Sequence, residues 1–135
     1  MNPTVKNILA VVAGIVIGMV VNMAIVMLSA SVIPPPGGVN PNDVESVRAG
    51  LHLFEPKHFI FPFLAHALGT LAGAFAAAKI AANSKQKLAL WTGVIFLAFG
   101  ILAATMIPAP TWFIAVDLIL AYVPMGILGG KLASR

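Results

Sequence analysis

Four uninterrupted apolar runs, at about 8–32, 59–82, 88–107 and 112–132, constrain this chain more than any other feature in it. A helix rises about 1.5 Å per residue, so roughly 20 apolar residues cross a hydrocarbon core of about 30 Å. No water reaches the backbone N–H and C=O groups in that core, and a helix satisfies all of them internally. The expected fold is therefore an all-α integral membrane protein, a four-transmembrane-helix bundle forming one domain over 1–135. The charge content points the same way: 9% of residues are charged and the mean hydropathy is +1.01, against about 25% charged in soluble domains.

The breaks between runs are marked by proline, glycine and charge. The first two runs are separated by an outer loop, 33–58, that contains PPPGGVNPNDVESVRAGLHLFEPKH; NSKQK joins the second to the third and PAPT the third to the fourth. If the chain starts inside, Lys6, Lys79, Lys85, Lys87, Lys131 and Arg135 all fall on one side with no acidic residue among them. The other side carries Arg48 and Lys57, offset by Asp43, Glu45 and Glu55. The positive-inside rule then places both termini in the cytoplasm, and a bacterial cytoplasmic membrane is the expected location. Lys6 ahead of an apolar run, with Ser-Ala-Ser at Ser29–Ser31, imitates a signal peptide. Signal cores run about 7–15 residues, however, and this one is longer by a turn or more, so an uncleaved first helix is expected.

Within the outer loop, Asn40 is suited to cap a helix and Pro41 to occupy its first position, while Val44, Val47, Leu51 and Phe54 recur at helical spacing. These signals predict a short amphipathic helix that shields the bundle end. A fainter pattern links the first and third runs, which end in Ile-Pro-Pro-Pro at Ile33 and Ile-Pro-Ala-Pro at Ile107. Two hairpins related by an axis along the membrane normal would give such a pattern, although prolines are also ordinary stops at a membrane boundary.

Small residues recur every fourth position. The first run carries Ala10, Gly14 and Gly18, the second Ala65, Gly69, Gly73 and Ala77, and the fourth Tyr122, Gly126 and Gly130; Gly93 and Gly100 stand seven apart in the third. Lipid tails are as apolar as leucine, so helices in a bilayer associate largely by close backbone approach at such positions. Gly14, Gly18, Gly69, Gly73, Gly126 and Gly130 are the expected packing residues.

Few polar residues fall inside the runs. Asp117 lies roughly 8 Å in from Trp112, His66 roughly 12 Å in from His58, and Asn22 roughly 18 Å from Pro34. An unpaired carboxylate at the bilayer centre costs about 2.5–3.5 kcal/mol on insertion scales, so Asp117 demands a partner. His66 shares the packing face of its helix with Gly69, Thr70 and Gly73 and should point at a neighbouring helix, which makes an Asp117–His66 pairing the expected one. Tyr122 stands about 140° from Asp117 around a straight helix, so those two are not expected to meet unless Pro124 kinks it. Thr70 and Tyr122 complete the intramembrane polar candidates with His66, Asp117 and Asn22.

Several classes of function are disfavoured. Zero cysteines exclude disulfides, thiolate zinc sites and iron–sulfur clusters, and the net charge of +4 sits at the ends of apolar runs, not in a nucleic-acid-binding patch. Glu55 and His58 have the spacing of half a Glu-x-x-His metal motif, but Pro56 interrupts it, and no metal, cofactor or catalytic residue is expected. No hydrolase, metalloprotease, nucleotide or dinucleotide fingerprint is present. Size and layout are similar to those of small multidrug resistance exporters, whose membrane-embedded glutamate in the first helix has no counterpart here; the equivalent helix offers Asn22. The expected function is a scaffold or accessory subunit in the lipid bilayer, associating as a homo-oligomer or with a partner membrane protein through its small-residue faces. The alternative is a proton- or ion-coupled small transporter or channel, acting as an oligomer, with His66 and Asp117 as its polar site.

Overall fold

A computed structural model describes residues 1–135, and every regular element in it is helical, with no strand. Four helices are long and apolar enough to cross a bilayer, spanning Pro3–Val32, Pro56–Ile80, Lys85–Met106 and Thr111–Ala133. The chain is thus compatible with a small multi-pass membrane protein.

The first helix, α1 (Pro3–Val32), begins before the apolar run because Asn2 caps it: its Oδ1 accepts from the Thr4 N–H at 2.7 Å, and Pro3 occupies the first turn, where its missing N–H costs nothing. It stops where Pro34 forbids a further helical turn. The segment that follows forms a shorter helix than its periodicity implies. Asn40 Oδ1 accepts from the Asn42 N–H in a tight turn, and Asp43 caps a helix of only 6 residues, α2 (Val44–Ala49). Gly50 ends it, and Leu51–Leu53 continue as a single 3-10 turn, so Leu51 and Phe54 leave the register of Val44 and Val47.

A 3-10 turn at Pro56–Phe59 leads into α3 (Ile60–Ile80). The carbonyls at the end of α3 find a partner in Lys85, whose Nζ donates to Ala81 O at 2.7 Å and Ala78 O at 3.1 Å. Ser84, in the left-handed region at φ 51°, turns the chain into α4 (Lys85–Met106). The last span is not one helix. It divides into α5 (Thr111–Leu120) and α6 (Val123–Ala133), with the backbone ladder closing at Ala121 N–H to Asp117 O and resuming at Gly126 N–H to Tyr122 O. Pro124 lacks the N–H that would continue the ladder to Leu120 O, which accounts for a break just ahead of it.

Packing centres on α3, which meets α1 on one side and α4 and α6 on the other; α1 and α4 touch only sparsely. The interior is made of small residues. Thr70 and Thr92 are the largest fully buried side chains, while Ile8, Leu9, Val12, Val16 and Val20 of α1 face outward. That is the reverse of a water-soluble core, and it suits a lipid solvent. The glycine stripes are where the helices close up: a Cβ placed on Gly14 would sit 2.5 Å from Gly73 O, and one on Gly18 would sit 2.6 Å from Gly69 O. Gly126 backs onto Gly93 Cα, and Gly130 onto Ala89 and Gln86. All six packing glycines are therefore in contact with other helices of the same chain. The association between chains expected from these faces would have to use some other surface.

The two ends of the bundle differ. At one end Asn7 ties α1 to the exit of α3, accepting from Ala82 N–H at 2.9 Å and donating to Asn83 Oδ1 at 2.8 Å, and both termini lie there. At the other end the segment between α1 and α3 covers the bundle, with Phe59 packed against Phe113 at 4.7 Å between ring centroids.

Candidate intramembrane polar site

Three helical segments bring their polar groups to one point between the middle of the bundle and the end covered by the α1–α3 segment. α3 supplies His66, one turn before Gly69; α5 supplies Asp117; the break between α5 and α6 supplies Tyr122. The carboxyl group of Asp117 is nearly buried, with its side chain 8% exposed, and His66 Nδ1 stands 2.8 Å from Oδ1 and 3.0 Å from Oδ2. Tyr122 Oη donates to Oδ2 at 3.3 Å. Each carboxyl oxygen therefore has a donor, as a polar group withdrawn from water requires.

The Asp117–Tyr122 contact is one the straight-helix geometry argued against. It forms because the ladder breaks at Ala121 and Tyr122: the residue that should point about 140° away is folded back over its own helix. The Tyr122 ring lies flat against His66, 5.8 Å between centroids at 25°. A Cβ on Gly100 would fall 2.6 Å from that ring, so glycine on α4 makes the room for it. This role of Gly100 is not visible in its seven-residue spacing from Gly93.

Thr70 does not join the cluster through its hydroxyl, which donates to the His66 carbonyl at 2.7 Å within α3. Asn22 stands apart as well. It packs over Gly69, and its Oδ1 is buried without any hydrogen-bond partner. A buried acceptor left without any partner costs about 1–3 kcal/mol. Glu55 and His58, whose spacing resembled a metal motif, form a local cap in which the Glu55 N–H donates to His58 Nδ1 at 2.8 Å.

Two cavities flank the cluster. One, of about 370 Å³, lies among α1, α3 and α4 and is lined by Asn22, His66, Thr70, Phe96, Phe99 and Tyr122 among others. The second, of about 260 Å³, lies under the covering segment and reaches His66 and Asp117 from the side of Val47, Phe54 and His58. His66, Gly100 and Ala103 border both. His66 therefore stands in the wall between them, and its side chain remains 32% exposed. Nδ1 is committed to Asp117, while Nε2 makes no hydrogen bond to protein.

Chemically, the arrangement can hold a polar or cationic group and exchange a proton. Imidazole is the side chain whose unperturbed titration lies nearest neutrality, and a carboxyl group can be neutralised by a proton, an imidazolium or a bound cation. Apolar walls with a few convergent polar groups are also the common form of a small-molecule pocket. No protein family, curated protein or solved structure matches the chain.

Proposed function

We propose that this chain is a proton-linked carrier of a small molecule, working at the His66–Asp117 pair. The observation that supports this reading is that His66 borders two cavities while bonded to the acidic residue of the spans. A purely structural pair would be packed dry on every side. In this reading a proton and the substrate compete for the pair, so that loading one releases the other. The break at Tyr122 divides the last span into two short rods, a place where bending can alter the wall between the cavities.

The scaffold reading has less support, because the small-residue faces it relied on are occupied by the chain's own helices. Under the positive-inside rule the basic end, with Lys6, Lys79, Lys85, Lys87 and Lys131, is cytoplasmic, and the covered cavity faces outward.

The test is the full chain reconstituted in phosphatidylcholine vesicles enclosing a pH-sensitive dye. Adding a panel of small organic cations under an imposed pH gradient should produce proton movement in the opposite sense, and Asp117→Asn should reduce it at least about tenfold. Proton movement that Asp117→Asn leaves intact, or none for any cation while the protein is folded, would overturn the reading.

A further inference from the structure

The cavity among α1, α3 and α4 carries more information about its occupant than the pair alone. Asn22 borders it, and the Oδ1 of that residue is a buried acceptor with no hydrogen-bond partner in the protein. His66 borders it too, and there the chemistry of the pair fixes what the ring can offer. Carboxyl oxygens accept from Nδ1, so in the neutral ring the proton resides on Nδ1 and Nε2 is left with a lone pair. Thr70 spends its hydroxyl proton on the His66 carbonyl and Tyr122 spends its own on Asp117, which leaves both oxygens able only to accept. Every polar side chain around this cavity is thus short of a donor, save the amide nitrogen of Asn22.

The rest of the lining is aromatic and apolar, with Phe96, Phe99 and Tyr122 supplying aromatic rings and Met19 a soft, adaptable side chain. Acceptors together with aromatic rings define a recognisable complement: a cation that carries several N–H donors on an apolar body. A carboxylate or phosphate would meet lone pairs and ring faces, and a plain hydrocarbon would leave Asn22 unpaired.

We infer that this cavity binds an amphiphilic organic ammonium ion with free N–H groups, held by Asn22 Oδ1 and His66 Nε2 over the Phe96 and Phe99 rings. The inference rests on the carrier reading for its purpose, but the binding it describes is measurable without transport. The sparse contact between α1 and α4 gives such a molecule a route from the bilayer, where its tail already resides. Asn22 is then a binding residue, and the lack of a protein partner for its acceptor has a cause.

The experiment compares three probes with one tail: n-octylammonium, n-octyldimethylammonium and n-octyltrimethylammonium, which carry three, one and no N–H donors. Binding to the full chain in phosphatidylcholine nanodiscs is measured calorimetrically, with empty nanodiscs subtracted. Affinity should fall in that order, by about tenfold or more from the first to the last. Asn22→Leu should abolish the order while raising the melting temperature of the ligand-free protein, since it removes an unpaired buried acceptor; Asn22→Ser serves if the leucine variant does not fold. Equal affinity for the three probes, or an order that survives both Asn22 variants, would overturn the inference. Donor-dependent binding without coupled proton movement sinks the carrier and leaves the ammonium site standing. Coupled movement of the trimethylammonium probe at full strength does the reverse.

Discussion

Tyr122 hydrogen-bonds Asp117 across a break in the span that carries them both, Oη to Oδ2 at 3.3 Å. The contact is long and the ring has other work, since it also lies against His66 and fills the space above Gly100. Tyr122→Phe should therefore lower stability only slightly, by about 0.5–1.5 kcal/mol. Tyr122→Ala, which empties the space, should cost about 3 kcal/mol or more. Thermal unfolding of both variants in the same detergent checks the ratio.

Pro124→Ala restores the N–H that Leu120 O lacks and should let the ladder run on through the break. Tyr122 would then rotate away from Asp117. Hydrogen exchange across 120–124 should slow, and coupled flux should fall even though His66 and Asp117 are untouched. Unchanged exchange would show that packing holds the break and the proline does not.

The α1–α3 seam offers a test with its own control. A side chain on Gly18 meets Gly69 O and the Phe96 ring, so Gly18→Leu should force the helices apart, whereas Gly37 has nothing within 4 Å of a Cβ and Gly37→Ala should be neutral. The native chain has no cysteine. A pair introduced as Asn7→Cys with Asn83→Cys, residues whose side chains are bonded at 2.8 Å, should crosslink with a short bifunctional thiol reagent, and Gly18→Leu should slow that crosslink severalfold.

His66→Phe keeps an aromatic ring against Tyr122 but leaves Asp117 with a single donor. The loss should be about 1–3 kcal/mol, the penalty for a buried acceptor deprived of its partner. Asp117→Leu in the His66→Phe background should recover much of it, because removing both partners removes the unpaired group as well. A double-mutant cycle read by thermal unfolding gives the coupling energy directly.

The parts of this molecule legible in its sequence are those set by local periodicity. Gly14, Gly18, Gly69 and Gly73 announce a close seam because a four-residue spacing of small side chains has one geometric use on a helix. His66 and Asp117 were drawn together by the cost of leaving either alone at depth. What the sequence hid was set by breaks in that periodicity. Straight-helix geometry does not place Tyr122, since a kink of one residue rotates everything beyond it. The segment at 44–54 shows the same limit, for its apolar spacing was helical but Gly50 cut the helix short. Asn22 is a polar candidate by its depth alone, and only the packed structure reveals that its acceptor meets no donor in the protein.

The length of α1 has a consequence for the lipid around it. Its apolar run, 8–32, measures about 37 Å, beyond a hydrocarbon core of about 30 Å, and a common tilt of about 20° shortens that projection only to about 35 Å. Because the glycine seam fastens α1 to α3, the excess cannot be absorbed by tilting α1 alone. The bilayer must thicken beside it or the whole bundle must lean, so the chain should partition toward membranes rich in long acyl chains and be least stable in thin ones.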